Sequence, residues 1–217
     1  MFEKRKAAAA ELDRQTAVNR AAHAATQAHE AMEAARLEHT SRLDGVMLKK
    51  GEDAYLSVQG AGLIEPRRAP GQWSGGSHGV SFRVAKGVSY RVGASRGTYT
   101  QGAERPTMID TGLFAVTNQR CLFVGGKRTT EWLYTKLVGF SLDGAATAVF
   151  NVSNRQKASG VVYTADVEHI CDTVIAAAIA QFQGPEQHAA LVAELEADYR
   201  VAWHEWRTAE QAALPAG

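Results

Sequence analysis

Between residues 3 and 43 the chain contains neither glycine nor proline, and this absence restricts what its first part can fold into. Of the first 44 residues, 13 are Ala. Ala loses no side-chain entropy in a helix, whereas Gly and Pro are the residues that break one. Residues 1–44 are therefore predicted to form one long Ala-rich helix. Because small side chains bury little area each, such a helix needs a partner to be stable.

Two apolar stripes with heptad spacing can be drawn on this helix. One consists of Ala17, Ala21, Ala24, Ala28, Ala31 and Ala35, and the other of Val18, Ala21, Ala25, Ala28, Met32 and Ala35. Both stripes advance by three and four residues, the spacing at which one helix packs along another. Either stripe is compatible with the sequence.

The partner helix is predicted at the other end of the chain, over the acidic residues 184–217. Gly184 and Pro185 separate this helix from the one before it, since Pro is tolerated in a first turn. Its apolar positions alternate by three and four, at Val192, Leu195, Tyr199, Ala202, Trp206, Ala209 and Ala213. We predict that the two terminal helices pair as an antiparallel coiled coil. The pairing residues are Val192, Leu195, Tyr199, Ala202 and Trp206. The alternative is that each helix lies separately on the middle domain.

The middle of the chain, residues 45–183, is rich in glycine and β-branched residues and reads as a β-domain. The sequence Val-Ser-Phe-Arg-Val at 80–84 nearly repeats as Val-Ser-Tyr-Arg-Val at 88–92. A three-residue loop ending in Gly87 joins the two, which predicts a hairpin with Phe82 opposite Tyr90 and Val84 opposite Val88. Further strands are predicted at 108–110, 113–117, 121–124, 131–134, 137–142, 146–152 and 160–163. An amphipathic helix is predicted over 167–182.

This order of elements predicts an α+β fold. A small antiparallel β-barrel or sandwich, closed by the amphipathic helix, would bury both apolar surfaces. The long terminal helices would flank it.

The charges are distributed unevenly along the chain. Residues 45–165 contain fifteen Lys and Arg against seven Asp and Glu, whereas residues 166–217 contain two against nine. A basic middle and an acidic tail indicate either an anionic partner for the middle or attraction between the two parts. An unevenly charged, hydrated surface is the simpler alternative. The candidate anion-binding residues are Arg83, Lys86, Arg91, Arg96, Lys127 and Arg128.

No catalytic or metal site is predicted. Gly75-Gly76-Ser77-His78-Gly79 has the letters of a hydrolase nucleophile elbow, but that motif needs a strand before it and a helix after it. Here residues 66–76 form a Gly/Pro-rich stretch and a strand follows, so a flexible loop is predicted at Ser77. Gly93 to Gly97 invites a phosphate-loop interpretation but lacks the Lys-Ser/Thr ending, and a turn is predicted. The histidines lack metal-ligand spacing, and Cys121 and Cys171 are expected to be buried free thiols. We therefore predict a non-enzyme without a cofactor.

The run from Asp110 to Gly126 contains Thr117-Asn118-Gln119-Arg120, followed by Phe123 and Gly125. This run resembles the signature hairpin of bacterial pleckstrin-homology-like domains related to GRAM domains. Lys136-Leu137-Val138, Gly51-Glu52 and Lys86-Gly87-Val88 fit the same pattern, and the likeness covers about residues 48–183. The resemblance implies a scaffold that binds phospholipid head groups or protein segments without catalysis. The Thr-Asn-x-Arg residues themselves are interpreted as serving the turn.

The sequence thus predicts a binding or adaptor module that contacts an anionic phospholipid surface or a partner protein. Self-association through the terminal helices is a structural alternative, and nucleic-acid binding is disfavoured because few aromatic residues accompany the basic ones. No small-molecule substrate is inferred. No stretch reaches the roughly 20 apolar residues of a membrane span, and the amino terminus does not resemble a signal peptide. We expect a cytoplasmic protein with, at most, peripheral membrane contact.

Overall fold

The computed structural model describes residues 2–43, 45–68, 72–85, 88–100, 104–142 and 144–214, and over 72–100 it describes the backbone alone. These residues include three α-helices: α1 (Phe2–Ala35), α2 (Glu168–Gln183) and α3 (Pro185–Ala213). Nine strands are described: β1 (Ala54–Arg68), β2 (Gln72–Ala85), β3 (Val88–Thr100), β4 (Glu104–Thr117), β5 (Arg120–Gly125), β6 (Thr129–Leu133), β7 (Leu137–Leu142), β8 (Thr147–Val152) and β9 (Ser159–Val162). A short 3-10 turn, Tyr134–Lys136, joins β6 to β7.

Seven strands form one antiparallel sheet in the order β6-β5-β4-β1-β9-β8-β7. The sheet is open, because its edge strands β6 and β7 are not hydrogen-bonded to each other among the described residues. It is nevertheless strongly curved: the rings of Trp132 in β6 and Phe150 in β8 lie 4.9 Å apart. Trp132 Nε1 also donates to Ser159 Oγ of β9 at 3.0 Å. The predicted α+β class with an antiparallel sheet is confirmed, whereas the predicted barrel closure is not found.

Helix α2 covers the apolar side of the sheet next to β1 and β4. Its residues Cys171, Val174, Ile175, Ala178 and Ile179 are buried, in agreement with the predicted face. They join one core with the side chains of Leu63, Phe114, Phe123, Trp132 and Phe150. Phe182, at the end of the predicted face, is 44% exposed.

Helices α1 and α3 lie side by side and run in opposite directions. His188 Nε2 is 2.7 Å from the carbonyl oxygen of Ala35, and the rings of His29 and Tyr199 are 5.1 Å apart. Burial distinguishes the two possible stripes on α1. Ala25, Met32 and Ala35 of the second stripe are buried. Of the first stripe, Ala31 and the shared Ala35 are also buried, but Ala17 and Ala24 are exposed.

Helix α1 ends at Ala35, nine residues before the predicted end at residue 44. Leu37 has a φ of 55°, which stops a helix, and its side chain is 9% exposed. Positive φ is unfavourable for a residue with a Cβ, so burial of this side chain offsets the strain. The segment that follows crosses to the sheet, where the Ser41 N–H donates to the carbonyl of Ala54 at 2.6 Å.

The hairpin of β2 and β3 forms a separate two-stranded sheet inserted between β1 and β4. Phe82 pairs with Tyr90 as predicted, but Val88 pairs with Ala85 rather than Val84, because the register shifts near the loop. The strands are also longer than predicted. The segments 75–79 and 93–97, expected to be a loop and a turn, are paired extended backbone. Gly75–Gly79 is therefore not a strand-to-helix elbow.

Candidate anion-binding cleft

Arg120 anchors a buried ionic network at the start of β5. Its Nε and Nη2 atoms donate to the two oxygens of Glu52 at 2.7 and 3.0 Å, and Nη1 donates to Glu131 at 2.5 Å. The side chain of Arg120 is 9% exposed and that of Glu52 is fully buried. Burial by itself would raise the pKa of Glu52. Hydrogen bonds from Arg120, the Lys49 N–H and Thr117 outweigh it, so this pKa lies below its ordinary value.

The neighbouring turn attaches the segment 47–53 to the sheet. Asn118 Oδ1 accepts from the Asp53 N–H at 3.0 Å, and its Nδ2 donates to the Gly51 carbonyl at 3.0 Å. Thr117 Oγ1 accepts from the Arg120 N–H at 3.0 Å. Because the side chains of Thr117, Asn118 and Arg120 are already bonded within the fold, the Thr-Asn-x-Arg run has a structural role and leaves ligand binding to other residues.

The predicted anion-binding residues fall into two groups. Lys86 lies outside the described residues, and Arg83, Arg91 and Arg96 lie in β2 and β3, where only the backbone is described. Whether these four residues form one patch stays a prediction. Lys127 and Arg128 occupy the turn between β5 and β6.

Asp110 holds that turn. Its Oδ2 accepts from the N–H groups of Lys127 and Arg128 at 2.8 and 2.9 Å. Desolvation acts to raise the pKa of Asp110, but these donors and the Thr111 N–H outweigh it and hold the pKa below its ordinary value. The N–H groups of Lys127 and Arg128 are thus occupied, so these two residues offer their side chains to a ligand.

The Arg128 side chain lines an open cleft of about 580 Å³ at one end of the curved sheet. The cleft lies between β1, the start of β6 and the connection from β8 to β9. Its polar and charged lining residues are Glu65, Arg128, Thr129, Thr130, Arg155, Gln156, Lys157 and Ser159. The lining of this basic cleft contains three cations and one carboxylate. Hydroxyl groups beside guanidinium and ammonium groups are suited to a phosphate.

The cations of the basic cleft are only partly neutralised. Arg128 Nη1 donates to Glu65 at 3.0 Å, and Lys157 Nζ donates to Glu104 at 2.6 Å, which lowers the pKa of Glu104. Arg155 donates to neutral oxygens, the Glu131 carbonyl at 3.0 Å and the Ser159 hydroxyl at 3.4 Å. The side chains of Arg128 and Lys157 are 51% and 55% exposed, so water or a ligand reaches both.

Two more arginines lie beside the basic cleft on the ribbon formed by the ends of β1 and β4. Arg67 is directly opposite Arg105 in the register. Like charges in directly opposed positions destabilise a strand pair. Glu65, 3.9 Å from Arg67, offsets part of this repulsion, and a bound anion would offset more. Only Arg128 of the cleft's cations was predicted from the sequence. Arg155 and Lys157 were missed because they stand in an irregular connection and reach Arg128 only through the curvature of the sheet.

The predicted helix-pairing residues share one side of α3. Val192, Leu195, Tyr199, Ala202 and Trp206 are all half-buried. Tyr199, Trp203 and Trp206 form a row of rings, with the two Trp rings 4.8 Å apart, over Ala22 and Ala25 of α1. In the acidic tail, Glu196 pairs with Arg36, the residue that follows α1, at 3.3 Å. This carboxylate is thus engaged at the end of the other terminal helix, not by the basic domain.

Among the residues with described side chains, no group of three His, Cys, Asp or Glu is placed to hold a metal ion. Cys121 and Cys171 are free and buried, and burial raises the pKa of each thiol to about 12. Within the described ranges, no helix has the length and apolar character needed to cross a bilayer.

Comparison with known proteins gives no relative from which a function can be transferred. No family model, no curated protein and no solved structure matches the chain.

Proposed function

We propose that this chain is a non-catalytic binding module whose basic cleft binds the phosphate groups of an anionic membrane surface. The observation that carries the proposal is the convergence of Arg128, Arg155 and Lys157 on one open cleft, where Glu65 in the lining and Glu104 beside it are the carboxylates that pair with them. Contact of this kind is peripheral and reversible, at about 1 kcal/mol per basic residue near the surface. It fits a cytoplasmic protein that visits the inner face of a membrane.

The surroundings of the basic cleft favour lipid over nucleic acid. No aromatic residue is among those that line it, and single-strand readers use such rings to stack bases. Met108, on β4 near the same end of the sheet, is 63% exposed. An exposed apolar side chain beside a positive cleft is suited to an interface between water and lipid.

The sequence-predicted cations extend the same proposal. The β2–β3 hairpin is connected to the sheet through Arg68 and Glu104, at the end where the basic cleft lies. On this proposal Arg83, Lys86, Arg91 and Arg96, whose side chains lie outside the described part of the structure, supply further charge for the same membrane contact. In this view the domain is a pleckstrin-homology-like scaffold with an open sheet, and α1 and α3 pair as a coiled coil that supports it.

Vesicle co-sedimentation tests the proposed function. The intact chain is expected to sediment with vesicles of phosphatidylglycerol and phosphatidylcholine at low salt and to stay in solution with phosphatidylcholine alone. Arg128→Gln and Lys157→Gln should each weaken binding about fivefold, which corresponds to the loss of one charge near the surface. Lys136→Gln is the matched control, because Lys136 follows the opposite end of β6.

Two results would contradict the proposal. One is equal binding to neutral and anionic vesicles, or to neither. The other is tighter binding to a single-stranded oligonucleotide than to anionic vesicles, which would favour a nucleic-acid function for the basic cleft.

A further inference from the structure

A second, apolar pocket of about 210 Å³ adjoins the basic cleft. The two cavities share the walls formed by Glu65, Pro66, Ala158 and Ser159. The remaining lining residues of the apolar pocket are Ile64, Pro106, Val149 and Gly160. The basic cleft is therefore suited to a polar group and the apolar pocket to an apolar group, and the two cavities are separated only by their shared wall.

Two prolines help to explain why the apolar pocket exposes so few polar groups. Pro66 of β1 lies directly opposite Pro106 of β4 in the ribbon. Proline has no backbone N–H, so two opposed prolines remove the donors that a strand pair would normally present. Beside them, the Val149 side chain is half-buried rather than covered. An apolar surface thus stays open to solvent next to three cations.

We propose that the basic cleft and the apolar pocket form one site for a phosphorylated amphiphile. The phosphate lies among Arg128, Arg155 and Lys157, and one alkyl or acyl chain enters the apolar pocket past Ala158. This inference rests on the proposed function and narrows it from a charged surface to an individual lipid. A charge-only surface contact would leave the apolar pocket empty, whereas a chain inserted there gains about fourfold in affinity for each buried methylene.

The occupant is identified by the chemistry of the two cavities. Inorganic phosphate satisfies only the basic cleft, and a neutral alcohol satisfies only the apolar pocket. A nucleic acid has phosphates but no aliphatic chain, and the pocket offers no ring for a base to stack on. A lipid with a phosphate close to its first methylenes satisfies both cavities at once.

Calorimetric titration of the full chain with inorganic phosphate, butyl phosphate, hexyl phosphate and hexanol tests the inference. Affinity is expected to rise from inorganic phosphate to butyl and then hexyl phosphate, by about fourfold per methylene until the pocket is filled. Hexanol should bind far more weakly than hexyl phosphate. Lys157→Gln should weaken all three phosphates by the same factor.

A variant that fills the apolar pocket distinguishes the contribution of the alkyl group to affinity from the contribution of the phosphate. Val149→Trp, at a residue that lines the apolar pocket and not the basic cleft, should remove the gain from the alkyl chain and leave inorganic phosphate binding unchanged. Ala197→Trp, on the exposed side of α3, is the matched control. Val149→Thr keeps the shape of the pocket and adds one hydroxyl, so it serves as a second variant if the larger substitution disturbs the fold.

Equal affinity for hexyl phosphate and inorganic phosphate in the wild-type chain would overturn the inference, as would an alkyl gain that survives both pocket variants. If anionic vesicles are still bound in that case, the proposed function stands and only the lipid-chain site is wrong. Failure to bind both vesicles and every phosphate would reject the proposed function as well.

Discussion

Arg120 makes four hydrogen bonds through its guanidinium group while almost none of its side chain is exposed. The partners are both oxygens of Glu52, one oxygen of Glu131 and the Met47 carbonyl. Removing a charge from water is costly, and this geometry repays the cost only while every partner is present. The residue therefore holds the strand β5 and the segment 47–53 in one arrangement.

Replacing Arg120 by Met should destabilise the fold by about 3–5 kcal/mol, because Glu52 would remain charged, buried and unpaired. Urea unfolding followed by circular dichroism measures the change. The double variant Glu52→Gln with Arg120→Met should recover much of the loss, since it leaves no buried charge. Arg14→Met is the control: its ion pair with Glu11 is exposed and should contribute less than about 1 kcal/mol. Equal losses at both arginines would contradict the buried network.

The same carboxylates make the fold sensitive to acid. The pKa of Glu52 and that of Glu131 are both lowered from the ordinary 4.5 in the folded chain. Groups with lowered pKa stabilise the fold above the unfolded pKa, and the contribution is lost as pH falls through the lower folded value. The urea concentration at the unfolding midpoint should therefore decrease as the pH is lowered below about 4.5. In the Glu52→Gln variant this decrease should be smaller. If the urea midpoint of the variant depends on pH as steeply as that of the wild type, the acid sensitivity comes from other groups.

At the scale of the elements, sequence patterns identify the helical faces better than they identify the central strand. The helix-pairing residues of α3 and the apolar residues of α2 recur every three or four positions. Their location on the covered sides of these helices could therefore be predicted from the sequence. Strand β1 lies at the centre of the sheet, yet its alternation is interrupted at Gly60, where φ is 76° and the register with β4 shifts. Pro66 adds a second interruption. A bulge and a proline conceal a strand from any period-two pattern.

The α1–α3 packing leads to a test at this scale. Trp206→Glu places a charge on a half-buried position against Trp203 and the small residues of α1. We expect a loss of about 2 kcal/mol, seen as a fall in Tm of roughly 4–8 °C with reduced helicity. Ala193→Glu, at an exposed position of the same helix, should change neither. Unchanged melting of the Trp206 variant would mean that the helix pair contributes little to the fold.

At the scale of the whole molecule, the β2–β3 hairpin is an insertion that the sheet does not need for its own pairing. Arg68 and Glu104 are directly opposed in the register and are joined by an ion pair at 3.3 Å. The ribbon of β1 and β4 is therefore already closed at that point. Of the two candidate groups of cations, the basic cleft belongs to the sheet, and Arg83, Lys86, Arg91 and Arg96 belong to the insertion.

Replacing residues 69–103 by an Asn-Gly turn should leave the sheet folded, because that dipeptide joins two opposed strands in a tight hairpin. Thermal unfolding is expected to stay cooperative. Vesicle binding should weaken but persist if the basic cleft is the main site. Complete loss of binding with an intact fold would show that the hairpin cations, and not the basic cleft, make the membrane contact. Full retention would show that those four residues contribute nothing to it.

The open sheet also has a consequence for the behaviour of the chain at high concentration. Strand β7 pairs on one side only within the described residues, and Val138 on it is 74% exposed. An unpaired edge with an apolar side chain invites a strand of another molecule, which is how many proteins begin to aggregate. The register of β7 shifts between Leu137 and Gly139. Such a bulge twists the edge away from flat pairing, so the irregularity protects the molecule from its own copies.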